Sequence, residues 1–159
     1  MTLREVFALG KDLLKKAEIE EYETDAWLLL EAAAKCTRND LFLRGNEPLS
    51  EEQGALYKES LEKRTKRIPV QHILGVQCFC GLDFMVTPDV LCPRLDTEVL
   101  IEEALKHIKP GSKILDMCTG SGCIILTLLH FVKDCKGTAA DLSERALVVA
   151  MQNAKNLEK

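Results

Sequence analysis

Apolar residues recur at helical spacing through the first third of the chain. Leu3, Val6, Phe7, Leu13, Leu14 and Ala17 share one face of a helix over residues 2 to about 18, and Thr2 with Glu5 forms its capping box. A second helix is expected over residues 24–36, with Ala26, Trp27, Leu30, Ala33 and Ala34 inward, and a short helical turn over Leu41 to Leu43. Ser50 and Gln53 cap a further helix that carries Leu56, Tyr57 and Leu61 and runs to about Lys66. Pro69 stops it. The pattern then changes to short alternating segments, Val70 to Leu74, Val76 to Cys80 and Leu82 to Val86, which read as strands with Gly75 and Gly81 at turns.

Beyond a Thr87-Pro88-Asp89 turn, Val90 to Arg94 reads as extended because the residue before proline avoids the helical region. Asp96 or Thr97 is the expected cap of a helix with Val99, Leu100, Ala104, Leu105 and Ile108 on its apolar face, and Lys109-Pro110-Gly111 ends it. Ile114 to Met117 reads as a buried parallel strand, Cys118 to Gly122 as a tight loop, and Cys123 to Phe131 as a helix. A second strand, Thr138 to Ala140, precedes a helix capped by Ser143, with Ala146, Leu147, Ala150, Met151, Ala154 and Leu157 on one face. The fold class is therefore α/β: an all-helical N-terminal domain over residues 1–68, then a linker hairpin and an incomplete α/β domain over residues 69–159. Parallel sheets are normally covered on both faces, and two strands do not complete one. The expectation is a fragment of a longer protein, with an exposed sheet edge that favours self-association.

Composition narrows the function. A 159-residue chain that is 47% hydrophobic can bury a core, and a net charge of −4 argues against broad binding to nucleic acid. No apolar run is long enough to span a bilayer, and the N-terminus lacks signal-peptide order, which points to the cytoplasm. Seven cysteines without a Cys-x-x-Cys pair are expected as reduced thiols, with no metal site. The run Lys63-Arg64-Thr65-Lys66-Arg67 reads as cations favoured by a helix C-terminus, or as a contact for an acidic or RNA-containing partner.

The candidate chemistry lies at the strand-loop-helix corner. Loop N–H groups and a helix N-terminus converge there, which suits a polar or anionic cofactor. The same pattern also serves as an ordinary turn, but two carboxylates favour a site. Asp116 ends an apolar strand, where an unpaired carboxylate is costly. Asp141 ends the second strand about 20 residues past the loop, at the reach of a ribose. This spacing fits a nucleoside-bearing cofactor without separating NAD from S-adenosylmethionine.

Residues 69–105 carry a more specific signal. Gly75, Phe79, Gly81 and Leu82, followed by Val90, Leu91, Pro93, Arg94, Thr97 and Glu98, closely resemble the Gly-x-x-x-Phe-x-Gly-Leu and Val-Leu-x-Pro-Arg…Thr-Glu segments of the release-factor glutamine methyltransferases, the HemK/PrmC family. The loop, Asp141-Leu142-Ser143 and Asn153-Ala154 match as well, and residues 1–68 match that family's N-terminal domain in layout. The resemblance implies a class I, Rossmann-like methyltransferase fold binding S-adenosylmethionine, and as substrate the glutamine of a Gly-Gly-Gln motif in peptide-chain release factors. It implies that Cys118, Thr119, Gly120, Ser121 and Gly122 line the methionine and ribose end of the cofactor. Asp141 would accept from the ribose hydroxyls, or else serve as a capping residue beside Ser143. Asp116 would orient the loop or the cofactor amino group. Pro93, Arg94, Thr97 and Glu98 would lie near the entrance or act structurally.

There are departures. Leu95 and Asp96 replace the family's usual proline and glutamate, Cys118 replaces a glycine, and His72 stands where an aromatic is common. The family's Asn-Pro-Pro-Tyr segment does not occur within residues 1–159, so no catalytic residue is assigned. Three functions follow as expectations: part of a release-factor methyltransferase, a catalytically silent module that docks a partner through residues 1–68, or a methyltransferase acting on RNA or another protein.

Overall fold

The computed structural model describes residues 1–158 and divides into two compact units, Met1–Leu74 and a second that begins at Gly75. In the first unit, helices α1 (Leu3–Lys16), α2 (Tyr22–Ala34), α3 (Arg38–Leu43), α4 (Glu51–Thr65) and α5 (Val70–Leu74) enclose one core. Both expected capping boxes form: Thr2 Oγ1 accepts from the Glu5 N–H, and Ser50 Oγ from that of Gln53. Thr37 and Asp40 make a third. Each satisfies two of the N–H groups that a helix start leaves without an intrahelical partner.

Trp27 is buried at the centre, with Phe7 edge-on at 5.7 Å between ring centroids and the Arg38 guanidinium 5.2 Å from its own ring. Burial of large aromatics of this kind supplies much of a small domain's stability. The basic run is largely consumed inside the unit. Arg64 Nε donates to Asp25 Oδ2 at 2.7 Å, and Arg67 donates to the carbonyls of Ala17 and Glu18 at the end of α1. Lys63 pairs with Glu59 one turn earlier. The structural reading of the run therefore accounts for these three side chains.

Two expectations are corrected here. Val70 to Leu74 is a helical turn, not a strand. Val70 is buried among the helices and Ile73 and Leu74 pack on the same core, because the three apolar residues stand at i, i+3 and i+4, the helical period. The helix after Pro93 starts at Leu95 with Arg94 as its cap residue and no side-chain cap, so neither Asp96 nor Thr97 caps it. Both fall in its first turn, where Asp96 and Glu98 complement the helix dipole.

The second unit opens with a hairpin, β1 (Val76–Phe79) and β2 (Leu82–Met85), paired antiparallel around Cys80 and Gly81. Phe79 and Phe84, 6.1 Å apart, anchor it in the core. Helix α6 (Leu95–Leu105), strand β3 (Lys113–Met117), helix α7 (Cys123–Phe131), strand β4 (Lys136–Ala140) and helix α8 (Glu144–Asn156) alternate from there. β3 and β4 pair in parallel, with Asp116 opposite Ala139 and Met117 opposite Ala140.

One face of this ribbon meets α7: a Cβ on Gly137 would lie 2.8 Å from both Ile125 Cδ1 and Leu129 Cδ1, so a side chain there would require the ends of those two side chains to shift. The other face carries Leu115 and Met117, each 64% exposed. The strand expected to be buried is thus covered on one side only. No helix among the described residues is long and apolar enough to cross a membrane.

Candidate functional site

The carboxylates and the glycine loop of the candidate site sit at the carboxyl ends of β3 and β4. Asp116 Oδ2 accepts from the Thr119 hydroxyl at 2.7 Å, tying the loop to the strand that precedes it. The Thr119 N–H donates to the Ala140 carbonyl at 3.0 Å, and the Gly122 N–H to the Thr119 carbonyl at 2.8 Å. Asp141 reaches back across the corner: Oδ2 accepts from the Gly120 N–H and Oδ1 from the Ser143 N–H, both at 2.9 Å. These bonds, that from Ser143 foremost and then that from Gly120, hold the Asp141 carboxyl below the usual carboxylate range, so it is ionised at neutral pH. Asp141 therefore does what a residue beside a helix cap does, and it braces the loop as well. An ionised carboxylate offers about four acceptor positions, so two accepted bonds leave room for donors from a ligand.

The loop is built from left-handed residues: Cys118 has φ 62°, Gly120 55° and Gly122 79°. A Cβ on Gly120 would meet no atom within 4 Å, so the backbone there faces open space that a ligand can approach. Gly122 differs, since its Cβ would lie 3.0 Å from Leu126 Cδ1 and 3.2 Å from Ala150 Cβ; this glycine serves helix packing. Cys118 carries a side chain at a backbone angle that glycine tolerates and cysteine does not favour. Cys118→Gly is expected to relieve strain of about 1 kcal/mol, offset in part by the greater entropy of the unfolded chain. Thermal unfolding of the two forms checks this, and a lower midpoint for the glycine form would contradict it.

A cavity of about 350 Å³ opens beside the loop, lined by Cys118, Thr119, Gly120 and Ser121 on one side and by Leu91, Cys92, Pro93, Arg94 and Thr97 on the other. This is within the range of small-molecule sites. It brings together four of the seven residues expected at the cofactor with three of the four expected at the entrance. Asp116, Gly122 and Asp141 brace this wall from outside the cavity lining. Glu98 is occupied elsewhere, since its Oε1 accepts from the Cys80 N–H at 2.7 Å and so pins the hairpin turn to α6.

Ser121 Oγ is buried and finds no nitrogen or oxygen partner among the described residues, with the Cys123 thiol a weak substitute. An orphaned hydroxyl beside open loop backbone fits a polar ligand. Burial pushes the Cys92 and Cys123 thiols up from their ordinary values, so neither is a thiolate at neutral pH. No described group of three or more His, Cys, Asp or Glu residues is arranged to hold a metal. The helical unit has a cavity of about 440 Å³, lined mostly by apolar side chains such as Leu9, Leu13, Leu49 and Leu61, without convergent groups for cofactor chemistry.

Asn153 was not singled out by sequence reasoning as a site residue, yet it is fully buried and bonded to both β2 and the loop. The signal was present: it lies three residues past Ala150, so a polar side chain sits on the apolar face of α8.

A helical N-terminal domain followed by an alternating α/β unit with a glycine loop is the class these elements define. Residues 5–75 match the PrmC N-terminal domain. Over 97% of its length the chain is 38% identical to the release factor glutamine methyltransferase of Geobacter sulfurreducens, and over 99% it is 39% identical to that of Caulobacter vibrioides. The protein of the same name from Cereibacter sphaeroides is 42% identical over 91% of the chain. The chain is a homologue of the release factor glutamine methyltransferases. It spans about half the length of the curated relatives it matches, 54%, 55% and 51% of these three.

Proposed function

We propose that the glycine-loop corner binds S-adenosylmethionine, and that this chain carries the cofactor-binding part of a protein-glutamine N-methyltransferase acting on peptide-chain release factors in the cytoplasm. The observation that carries the reading is the Asp141 carboxylate bonded to the Gly120 N–H beside a cavity walled by Cys118 to Ser121. In this reading Asp141 takes the ribose hydroxyls on its remaining acceptor positions. The open backbone at Gly120 and the Ser121 hydroxyl meet the methionine and ribose end, and Asp116 keeps the loop in place through Thr119. The cofactor supplies an electrophilic methyl on a sulfonium.

What remains is positioning. An amide nitrogen is a poor nucleophile because its lone pair is delocalised, so it must be held facing the methyl by acceptors for its N–H groups, a matter of orientation and electrostatic preorganisation. The Asn-Pro-Pro-Tyr segment that provides such acceptors in the family the chain resembles does not occur within residues 1–159. These residues by themselves are expected to bind cofactor without transferring its methyl. The helical unit is the proposed docking element for the release factor, and the net charge of −4 gives no support to nucleic acid as the substrate.

The test is an NMR titration of the isotope-labelled chain with S-adenosylhomocysteine. We expect amide shifts confined to residues 118–122 and 141 and to the facing wall, residues 91–97, with a Kd of roughly 0.1 mM or weaker, since one wall of loop and one of extended chain bury only part of a ligand. A folded chain with no change at those amides would sink the cofactor reading and leave a partner-docking module.

A further inference from the structure

Asn153 is a buried polar side chain that joins one wall of the cavity, the glycine loop, to β2, the strand that leads toward the other. It sits in the third turn of α8 with 0% exposure. Its amide uses both ends. Oδ1 accepts from the Met85 N–H at 2.7 Å, and Nδ2 donates to the Met85 carbonyl at 3.0 Å. Asn153 thus pairs with β2 at two points, as a peptide unit of a neighbouring strand would. The second Nδ2 hydrogen goes to the Ser121 carbonyl at 2.9 Å.

That last bond fixes the plane of the Ser121–Gly122 peptide, whose N–H donates to the Thr119 carbonyl. It thereby sets how the loop presents its backbone. The pair with Met85 fixes the end of β2, from which the chain runs through Val86 and Val90 to the opposite wall, Leu91 to Arg94. One amide therefore ties the glycine loop to the end of β2, and Val86, Val90 and Cys92 beyond it pack against Ala146 and Val149 of the same helix.

We propose that Asn153 is a positioning residue for the cavity: it touches no ligand and holds the glycine loop and the Leu91–Arg94 segment in binding register. Nothing in a core-packing role demands an amide here. A leucine or alanine would satisfy packing, whereas the three bonded backbone groups, Met85 N–H, Met85 C=O and Ser121 C=O, would each lose a buried partner. The identity of the ligand rests on the cofactor reading above; the positioning role does not.

The experiment uses the full chain in three forms: Asn153→Asp, which keeps the size and removes donors, Asn153→Ala, and Val149→Ala as a comparator that thins the same helix face without touching the loop. Amide hydrogen exchange is measured without ligand. In both Asn153 variants the amides of Gly120 and Gly122 are expected to exchange at least tenfold faster, and in Asn153→Ala that of Met85 as well, since aspartate still accepts from it, while those of β3 and the centre of α7 stay within about threefold of the parent. Val149→Ala is expected to raise exchange evenly and leave the loop without a selective change.

Loop amides that stay protected in Asn153→Asp, or an even rise across the whole unit, would overturn the proposal, because Asn153 would then be a packing residue. In the S-adenosylhomocysteine titration, Asn153→Asp is expected to lose the shifts at residues 118–122. Equal binding by parent and variant would likewise overturn it. If the parent itself shows no binding, the cofactor reading fails, and the exchange contrast still decides the role of Asn153.

Discussion

Arg64→Ala is expected to destabilise the helical unit by about 3 kcal/mol, because it leaves a carboxylate buried without its counter-charge. Asp25 sits in the first turn of α2 with its side chain 8% exposed, and Arg64 on α4 covers it with a side chain 18% exposed. The guanidinium donates Nε to Asp25 Oδ2 at 2.7 Å and Nη1 to the Ile68 carbonyl at 3.3 Å, so one side chain joins α2, α4 and the segment that leads into α5. Breaking one half of such a pair is costlier than removing both. The double variant Asp25→Asn, Arg64→Met should therefore recover about half of the loss.

Trp27 is the single tryptophan of the chain and lies in this unit, so its fluorescence during urea unfolding reports the helical unit alone. The neighbouring Lys63→Ala removes an exposed pair with Glu59 and should change stability by less than about 0.5 kcal/mol. If Arg64→Ala moved the midpoint no more than Lys63→Ala does, the ion pair would hold nothing together.

Gly10→Ala is expected to cost about 2 kcal/mol, against the usual helical preference of about 1 kcal/mol for alanine over glycine. Gly10 is in the middle of α1, where a Cβ would collide with the Tyr57 hydroxyl and lie 2.8 Å from Tyr57 Cζ. That ring is among the most deeply buried side chains of the unit, and its hydroxyl donates to the Ala26 carbonyl at 3.1 Å. Burial pushes the Tyr57 phenol well above its ordinary value, so it stays a neutral donor at any pH the fold survives. The ring lines the cavity of the helical unit, and moving it into that space would give up the bond to Ala26.

The closest collision is with the hydroxyl, which makes the larger part of the effect separable. Tyr57→Phe alone should lose about 1 kcal/mol with the hydrogen bond, yet in the Gly10→Ala background the same change should recover part of the stability, the contact with Cζ remaining. Urea unfolding followed by Trp27 fluorescence measures all four forms. Purely additive losses would mean that Tyr57 moves aside freely and that the close approach of α1 and α4 at Gly10 is not a constraint.

Much of this architecture was legible because local rules and tertiary packing agree. The capping pairs Thr2 with Glu5 and Ser50 with Gln53 form as read, since each is satisfied within four residues. The hairpin with Gly81 at its turn and the strand-loop-helix around Gly120 and Gly122 are local as well. The strand reading fails at Val70 to Leu74 on its own pattern: the apolar residues Val70, Ile73 and Leu74 stand at i, i+3 and i+4, which is helical spacing, and all three pack on the helical core. The start of α6 at Leu95 was misplaced for a different reason: Asp96 and Thr97 are good caps by type, but the chain leaving Pro93 is already turning into the helix.

At the candidate site, residue types pointed to Asp116, Asp141 and the loop. They did not reveal that Asp141 spends two acceptor positions on Gly120 and Ser143, or that Asp116 binds Thr119. The identity of Cys118 left its backbone open, and only the folded loop shows φ at 62°.

The sequence by itself determined the order of elements, the change from helical to alternating pattern, and the glycine corner with its carboxylate about 20 residues on, because hydrophobic period, capping and turn chemistry act over a few neighbours. The tertiary structure alone decided which face of β3 is covered, which pairs fix the helical core, and that Asn153 bridges residues 85 and 121. Those outcomes depend on groups far apart in the chain that meet only when the elements pack, and no local period records such a meeting.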